Sequence, residues 1–329
     1  MQHNRQKIGY NTSVLEGYEM NNVHCIYMGT PQIAATVLEN MIKHGIQVDL
    51  VVTQPDKKVG RKQNIVYSPV KQVALNYDIP VFQPIKIKED HQMILDQNPD
   101  LIVTCAYGQF IPKHILDTPT FGCVNLHGSL LPKYRGGAPI QRAIWNGDTL
   151  SGMSLMKMIP KMDAGPVFST QEITIESTDT SSSLFEKMAF AASDLIIKHY
   201  DDICSKDAKY QSQDESQATF APVILKEEEH INLQQEDNMI MNQIRALSSQ
   251  PRAYVRVKNK KLKILKARYR IKSIDQPFTL IGWNENGYCL NLRKGILIMD
   301  EVQMEGKPIM TSKDFYNGQG RNLVGQIVE

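Results

Sequence analysis

Between residues 23 and 146 the chain alternates short apolar runs of strand length with longer runs of helical pattern, and no other feature narrows its fold so far. The strand-like runs fall at 23–28, 48–53, 101–106 and 123–127. Helical patterns follow at 33–43, 70–76 and 138–146, with a short turn after Pro112. Consecutive strands that are each followed by a helix pair in parallel through crossovers. The expected fold is therefore α/β, with a doubly wound, mostly parallel sheet and helices on both faces. Such sheets bind ligands beyond the carboxyl ends of their strands, near the point where the strand order reverses.

Strand-like runs at 153–158 and 167–175 close the sheet, and a helical run from Leu184 to about Tyr200 covers it. The composition then changes. Residues 205–221 are polar enough to act as a linker, so the expected units are 20–204 and 222–329. The second unit pairs a short helix at 239–246 with strand-like runs at 253–257, 262–267, 279–283, 288–292 and 296–304. Short strands punctuated by Gly and Asn predict a small C-terminal β-barrel, OB-like in type. Residues 1–19 carry no apolar periodicity and are expected to be a disordered extension, with Met20 the start of the folded chain.

Composition excludes more than it identifies. No stretch reaches the ~18 apolar residues of a membrane span, and the first residues lack the apolar core of a secretory signal. A cytoplasmic location is the expectation. The five cysteines are scattered without a C-x-x-C pair, so neither a disulfide framework nor a metal site is signalled. Charge is uneven: residues 222–329 hold 17 Lys and Arg against 12 Asp and Glu, leaving 20 against 23 for the rest. The basic half points towards a polyanionic partner.

The densest chemical signal is residues 125–139, NLHGSLLPKYRGGAP. Strand alternation puts Asn125 and His127 on one face, at a strand end that breaks into loop at Gly128. A second cluster, MDAGPV at 162–167, places Asp163 in a Gly/Pro loop ahead of a strand. An amide donor suits an oxyanion, an imidazole suits proton transfer near neutrality, and a carboxylate beside the imidazole would fix its tautomer and stabilise its charged form. Taken singly, each has a plain reading as well: a capping amide, a core imidazole, a turn-forming Asp.

Together with MGTP at 28–31, TQPD at 53–56, GRK at 60–62 and AYGQFIP at 106–112, these motifs resemble the formyltransferase family that uses 10-formyltetrahydrofolate. The resemblance runs from residue 20 to the end of the chain. It implies a Rossmann-like catalytic half and a C-terminal OB-like tRNA-binding half. It further implies transfer of the formyl group to the amino group of methionyl initiator tRNA by a cytoplasmic monomer that needs no metal. Catalysis is carried over to Asn125, His127 and Asp163. The folate loop is carried over to Ser129, Leu130, Leu131 and Pro132, with Phe110, Ile111 and Pro112 at the pterin pocket. Two positions depart from the pattern: Gly128 follows the His, and Pro166 stands where tRNA-acting members often have Asp. The Gly-Pro pair is similar to the glycinamide ribonucleotide branch. The catalytic motif alone leaves three readings: a tRNA enzyme, an enzyme acting on a ribonucleotide or amino sugar amine, and a non-catalytic folate- or RNA-binding protein.

The second half separates these readings, because a small acceptor has no use for its charge. Residues 252–272 carry ten Lys or Arg and no acid, interleaved with Tyr254 and Tyr269. Arg256, Lys258, Lys260, Lys261, Lys263, Lys266 and Arg268 are the expected phosphate contacts, although basic runs are more often solvated surface. In the first half, the long connection at 54–68 carries Arg61 and Lys62, which the resemblance places at the acceptor stem.

Overall fold

The computed structural model describes residues 23–60, 63–248 and 250–329. The extension expected at 1–19 lies outside them, as do Arg61 and Lys62.

The first half opens with β1 (Cys25–Gly29), α1 (Gln32–Lys43) and β2 (Leu50–Val52). The connection read as a loop at 54–68 instead holds a hairpin, β3 (Lys57–Val59) and β4 (Asn64–Val66). It was missed because its exposed strands lack apolar alternation. Ser68 then caps α2 (Pro69–Asn76) by accepting the Lys71 N–H, with Pro69 in the first turn where no N–H is needed. After α2 come β5 (Val81–Phe82), α3 (Gln92–Leu95), β6 (Leu101–Cys105), α4 (Lys113–Leu116) and β7 (Cys123–His127). The series ends with α5 (Pro139–Asn146), β8 (Leu150–Lys157), β9 (Val167–Thr174) and α6 (Ser181–Ile203). The turn expected after Pro112 is the one-turn helix α4.

The seven strands lie in the order β5-β2-β1-β6-β7-β8-β9. The first five run parallel, and β8 and β9 add antiparallel strands at one edge. Strand alternation splits β1 between two cores. Cys25 and Tyr27 pack with Val37, Leu38 and Met41 of α1 and Leu184 and Met188 of α6. Ile26 and Met28 pack on the opposite face with Ile94, Ile111 and Ile115. Burial on both faces is why these strands read as continuous apolar runs. The chain proceeds outward from β1 to β2 and β5, then returns to its other side for β6 and β7. The switch point therefore lies at the carboxyl ends of β1 and β6.

The second half contains α7 (Asp237–Ala246), β10 (Tyr254–Val257), β11 (Lys260–Ile271), β12 (Leu280–Asn284), β13 (Gly287–Asn291), β14 (Gly295–Met304), β15 (Met310–Thr311) and α8 (Ser312–Asn317). Its sheet is antiparallel around a core of its own, with Val255, Ile264, Leu290 and Phe315. The last residues close it into a barrel. Leu280 N–H donates to Gln326 O at 3.0 Å at one edge, while Arg256 and Glu329 exchange backbone bonds of 2.6 and 2.9 Å at the other.

The halves are in contact. Trp145 of α5 packs against both cores, and Ala246 of α7 belongs to the core of the first half. Arg245 donates to the carbonyls of Glu176 and Asp179 at 3.2 and 2.9 Å. Arg142 makes a two-pronged pair with Glu228 at 2.7 and 2.8 Å. Among the described residues, no helix is long and apolar enough to cross a membrane.

Candidate active site

β7 delivers Asn125 and His127 to the carboxyl end of the sheet, beside β6, as strand alternation requires. The register sets Thr104 directly across from Asn125, and the Thr104 hydroxyl donates to Asn125 Oδ1 at 2.8 Å. With its oxygen engaged, the Asn125 amide presents Nδ2 as a free donor direction.

His127 is 5% exposed. Its Nε2 lies 2.9 Å from the carbonyl of Tyr134, an acceptor only, so the proton of the neutral ring sits on Nε2. Nδ1 is left with its lone pair, and Asp163 Oδ1 lies 3.7 Å from it. That separation exceeds a hydrogen bond but is close enough for the carboxylate to stabilise an imidazolium. The tautomer is thus set by a backbone carbonyl, a partner that side-chain reading could not identify.

Asp163 sits in the β8–β9 connection with φ of 49°, in the left-handed region that non-glycine residues seldom occupy. Its Oδ2 accepts the Gly136 N–H at 2.8 Å. Gly165 completes the turn by lying against the end of β8, where a Cβ would fall 1.8 Å from Lys157 O. No other residue fits there. Pro166 lacks an N–H, but its carbonyl accepts the Lys157 N–H at 2.9 Å, so this departure leaves the turn closed.

The residues carried over to folate divide by exposure. Phe110 is 62% exposed, and Gln109 beside it donates to the carbonyl of Ile85, itself 82% exposed. Ile111 is 3% exposed in the core, and Pro112 caps α4. The Ser129 hydroxyl is buried and spent on Lys133 O at 2.6 Å, inside a loop stapled to β8 by Ser154. Leu130 lines a cavity of about 410 Å³ with Lys133, Tyr134, Asp148 and Ser151. Leu131 and Pro132 are half-buried and joined by a cis bond. Contacts from Ile111 or Ser129 are therefore confined to backbone, because their side chains are committed to the fold. Among the described residues no cluster of His, Cys, Asp and Glu could hold a metal ion.

The basic run lies mainly on β10 and β11. A bulge near Leu265 rephases β11, so that Lys261 and Lys263 before it share a face with Lys266, Arg268 and Arg270 after it. Tertiary pairing adds the acids the run itself lacks: Arg268 meets Asp300 at 2.9 Å, and Arg270 meets Glu285. The face is thus less positive than ten uncompensated charges would make it. Lys261 stacks 4.1 Å over Tyr254, and Arg256 lies on the same ring.

Two family models match this chain: formyl transferase over residues 21–199 and the formyl transferase C-terminal domain over 223–320. The chain belongs to the formyl transferase family. A methionyl-tRNA formyltransferase of Lactobacillus delbrueckii is 43% identical over 307 residues, covering 92% of this chain and 97% of that protein. One from Malacoplasma penetrans is 41% identical, covering 92% and 96%. Among solved structures, an N-formyltransferase of Helicobacter canadensis, in complex with folinic acid and dTDP-3-aminofucose, aligns with a TM-score of 0.64 at 19% identity over 84% and 99% of the two chains. HypX of Aquifex aeolicus, with tetrahydrofolic acid, aligns with a TM-score of 0.65 at 15% identity; this chain spans 48% of it. At those identities the structures speak for the formyltransferase fold.

Three residues at the site have no motif signature of their own. Thr104 is a buried strand Thr, and Arg135 lies inside the long motif but 1% exposed. Gln213 stands in the polar stretch 205–221, where nothing distinguishes it from its neighbours.

Proposed function

We propose that this chain transfers the formyl group of 10-formyltetrahydrofolate to the amino group of methionyl initiator tRNA. The observation that carries the reading is identity of 41–43% to methionyl-tRNA formyltransferases over nearly their whole length, the basic second half included. The acceptor amine attacks the formyl carbon, and Asn125 Nδ2 donates to the oxyanion that forms. His127 Nδ1 takes the amine proton and returns it to the departing folate nitrogen, while Asp163 stabilises the imidazolium between the two steps. The C–N bond to folate breaks, leaving formylmethionyl-tRNA and tetrahydrofolate.

The exposed ring of Phe110 suits a flat, largely apolar ring system. We assign the β10–β11 face to the phosphate backbone, with Arg256, Lys258, Lys260, Lys261, Lys263, Lys266 and Arg268. We assign the β3–β4 hairpin, with Arg61 and Lys62, to the acceptor stem. That ribbon exposes Val59, Ile65 and Val66, and two strands alone are marginally stable. Its base is pinned by Lys71, which donates to Asp56 and Gln83 at 2.6 and 2.7 Å. In this reading 20–204 is the catalytic unit, 205–221 the connection and 222–329 the tRNA-binding unit of a cytoplasmic monomer.

The test is formyl transfer from 10-formyltetrahydrofolate to methionyl initiator tRNA, beside glycinamide ribonucleotide and an amino sugar nucleotide. Transfer to the tRNA alone is expected, with His127→Ala slower by about 10²–10⁴. Transfer only to a small amine would overturn the acceptor and keep the site.

A further inference from the structure

The segment 211–221 does more than connect the halves. It pairs with the loop after His127: Arg135 N–H donates to Thr219 O at 2.9 Å, Ala221 N–H to Arg135 O at 2.7 Å, and Ala138 N–H to Ala221 O at 3.1 Å. The double glycine of the long motif exists to admit it. A Cβ on Gly136 would lie 2.6 Å from Ala221 O, and one on Gly137 would lie 2.5 Å from Val223 Cγ1. Gly136, held by this pairing, is the residue whose N–H binds Asp163 Oδ2.

The same segment reaches the Asp163 backbone from the other side. Gln213 Nε2 donates to the carbonyl of Asp163 at 2.8 Å and to that of Gly165 at 2.6 Å. Its Oε1 accepts from Arg135 Nε and Nη2 at 3.1 and 2.8 Å, which leaves the amide a single orientation. Arg135 is buried and two-pronged on Glu215, at 3.2 and 2.9 Å, and Lys161 reaches the same carboxylate at 2.7 Å. A side chain with one acceptor and two N–H donors is required at 213, and only an amide supplies it.

We propose that Gln213 is a positioning residue for the reaction, holding Asp163 in its left-handed conformation so that the carboxylate faces His127. This makes the segment between the halves a working part of the active site. The inference rests on the formyl-transfer reading above. Asp163 has a backbone conformation uncommon outside glycine, and two contacts hold it there: the Gly136 N–H and the Gln213 amide.

The experiment is steady-state formyl transfer to methionyl initiator tRNA by the full chain carrying Gln213→Ala or Gln213→Glu, on wild-type and Asp163→Asn backgrounds. The Glu variant can still accept from Arg135 but turns a carboxylate oxygen towards two carbonyls. Both variants are expected to lower kcat roughly 10- to 100-fold with KM for either substrate held within about twofold. On the Asp163→Asn background the further loss should be under about twofold, because the group being positioned is already gone. Unchanged kcat in either variant, or the same fold-loss on both backgrounds, overturns the proposal. If the wild-type chain formylates no tRNA, the failure lies with the functional reading instead.

Discussion

Asn125 is useful to an oxyanion only if its amide nitrogen, rather than its oxygen, faces the reacting carbon. The Thr104 hydroxyl favours that choice, lying nearer to Oδ1, at 2.8 Å, than to its other oxygen acceptor, Val124 O, at 3.1 Å. Thr104→Val keeps the shape and removes the donor, so either the Asn125 oxygen is left unpaired or the amide turns over. Kcat is expected to fall about tenfold, the worth of one buried hydrogen bond, while Thr104→Ser stays near wild type. Equal activity in the Val and Ser variants would remove Thr104 from the machinery. Burial also settles the cysteines. It pushes the thiols of Cys25, Cys105 and Cys123 up to about 12, so they stay protonated and unreactive near neutrality. The sequence displayed Asn125, His127 and Asp163. It did not display Thr104 or the Tyr134 carbonyl, because a partner across a ladder and a backbone acceptor have no local signature.

At the scale of elements, the site is held by loops whose shape depends on distant chain. Glu215 anchors the segment 211–221 through Arg135 and then Lys161, and these cations hold its carboxyl down at about 2, below an ordinary value of 4.5. A carboxylate with a depressed folded pKa contributes stability that is complete above its unfolded value and disappears as pH falls through the folded one. The part of the grip on 211–221 that Glu215 supplies should therefore be full above about pH 4.5 and be lost between there and about pH 2. Limited proteolysis with an acid protease across that range should show cleavage within the segment rising as pH falls. Glu215→Gln should already be cleaved at the upper end, and cleavage that does not change with pH in the wild type would count against the anchor. The basic strand β11 teaches a related lesson. Its charges were legible in the sequence, but the bulge that aligns them and the acids opposite, Asp300 and Glu285, came only with the sheet register.

Over the whole molecule, the two halves share a packed interface rather than hanging on a tether. Arg142 on α5 pairs with Glu228 in the second half, holding that carboxyl below its usual range, and the pair is largely shielded from water. Arg142→Ala should destabilise the protein by about 1–3 kcal/mol, since it strands a partly buried carboxylate. For a chain of this size, that corresponds to a melting temperature lower by roughly 1–2 °C per kcal/mol. The loss should appear in one cooperative transition followed by calorimetry. Two separated transitions, with only the second moved, would mean that the halves are independent.

By itself the sequence determined the parallel sheet, the second β-rich half and the basic character of the C-terminal unit, and it singled out Asn125, His127 and Asp163 as candidates. The fold and the charge follow from local pattern, apolar runs of period 2 or 3.6 and a run of basic residues, whereas the trio rests on the motifs that carry the family resemblance. Tertiary structure alone decided how Asp163 is held, which nitrogen of His127 carries the proton, and that a polar stretch at 211–221 packs against the candidate site. The reason is physical. A hydrogen bond between Gln213 and a carbonyl fifty residues away depends on where two backbones meet, and no spacing within either segment encodes that meeting.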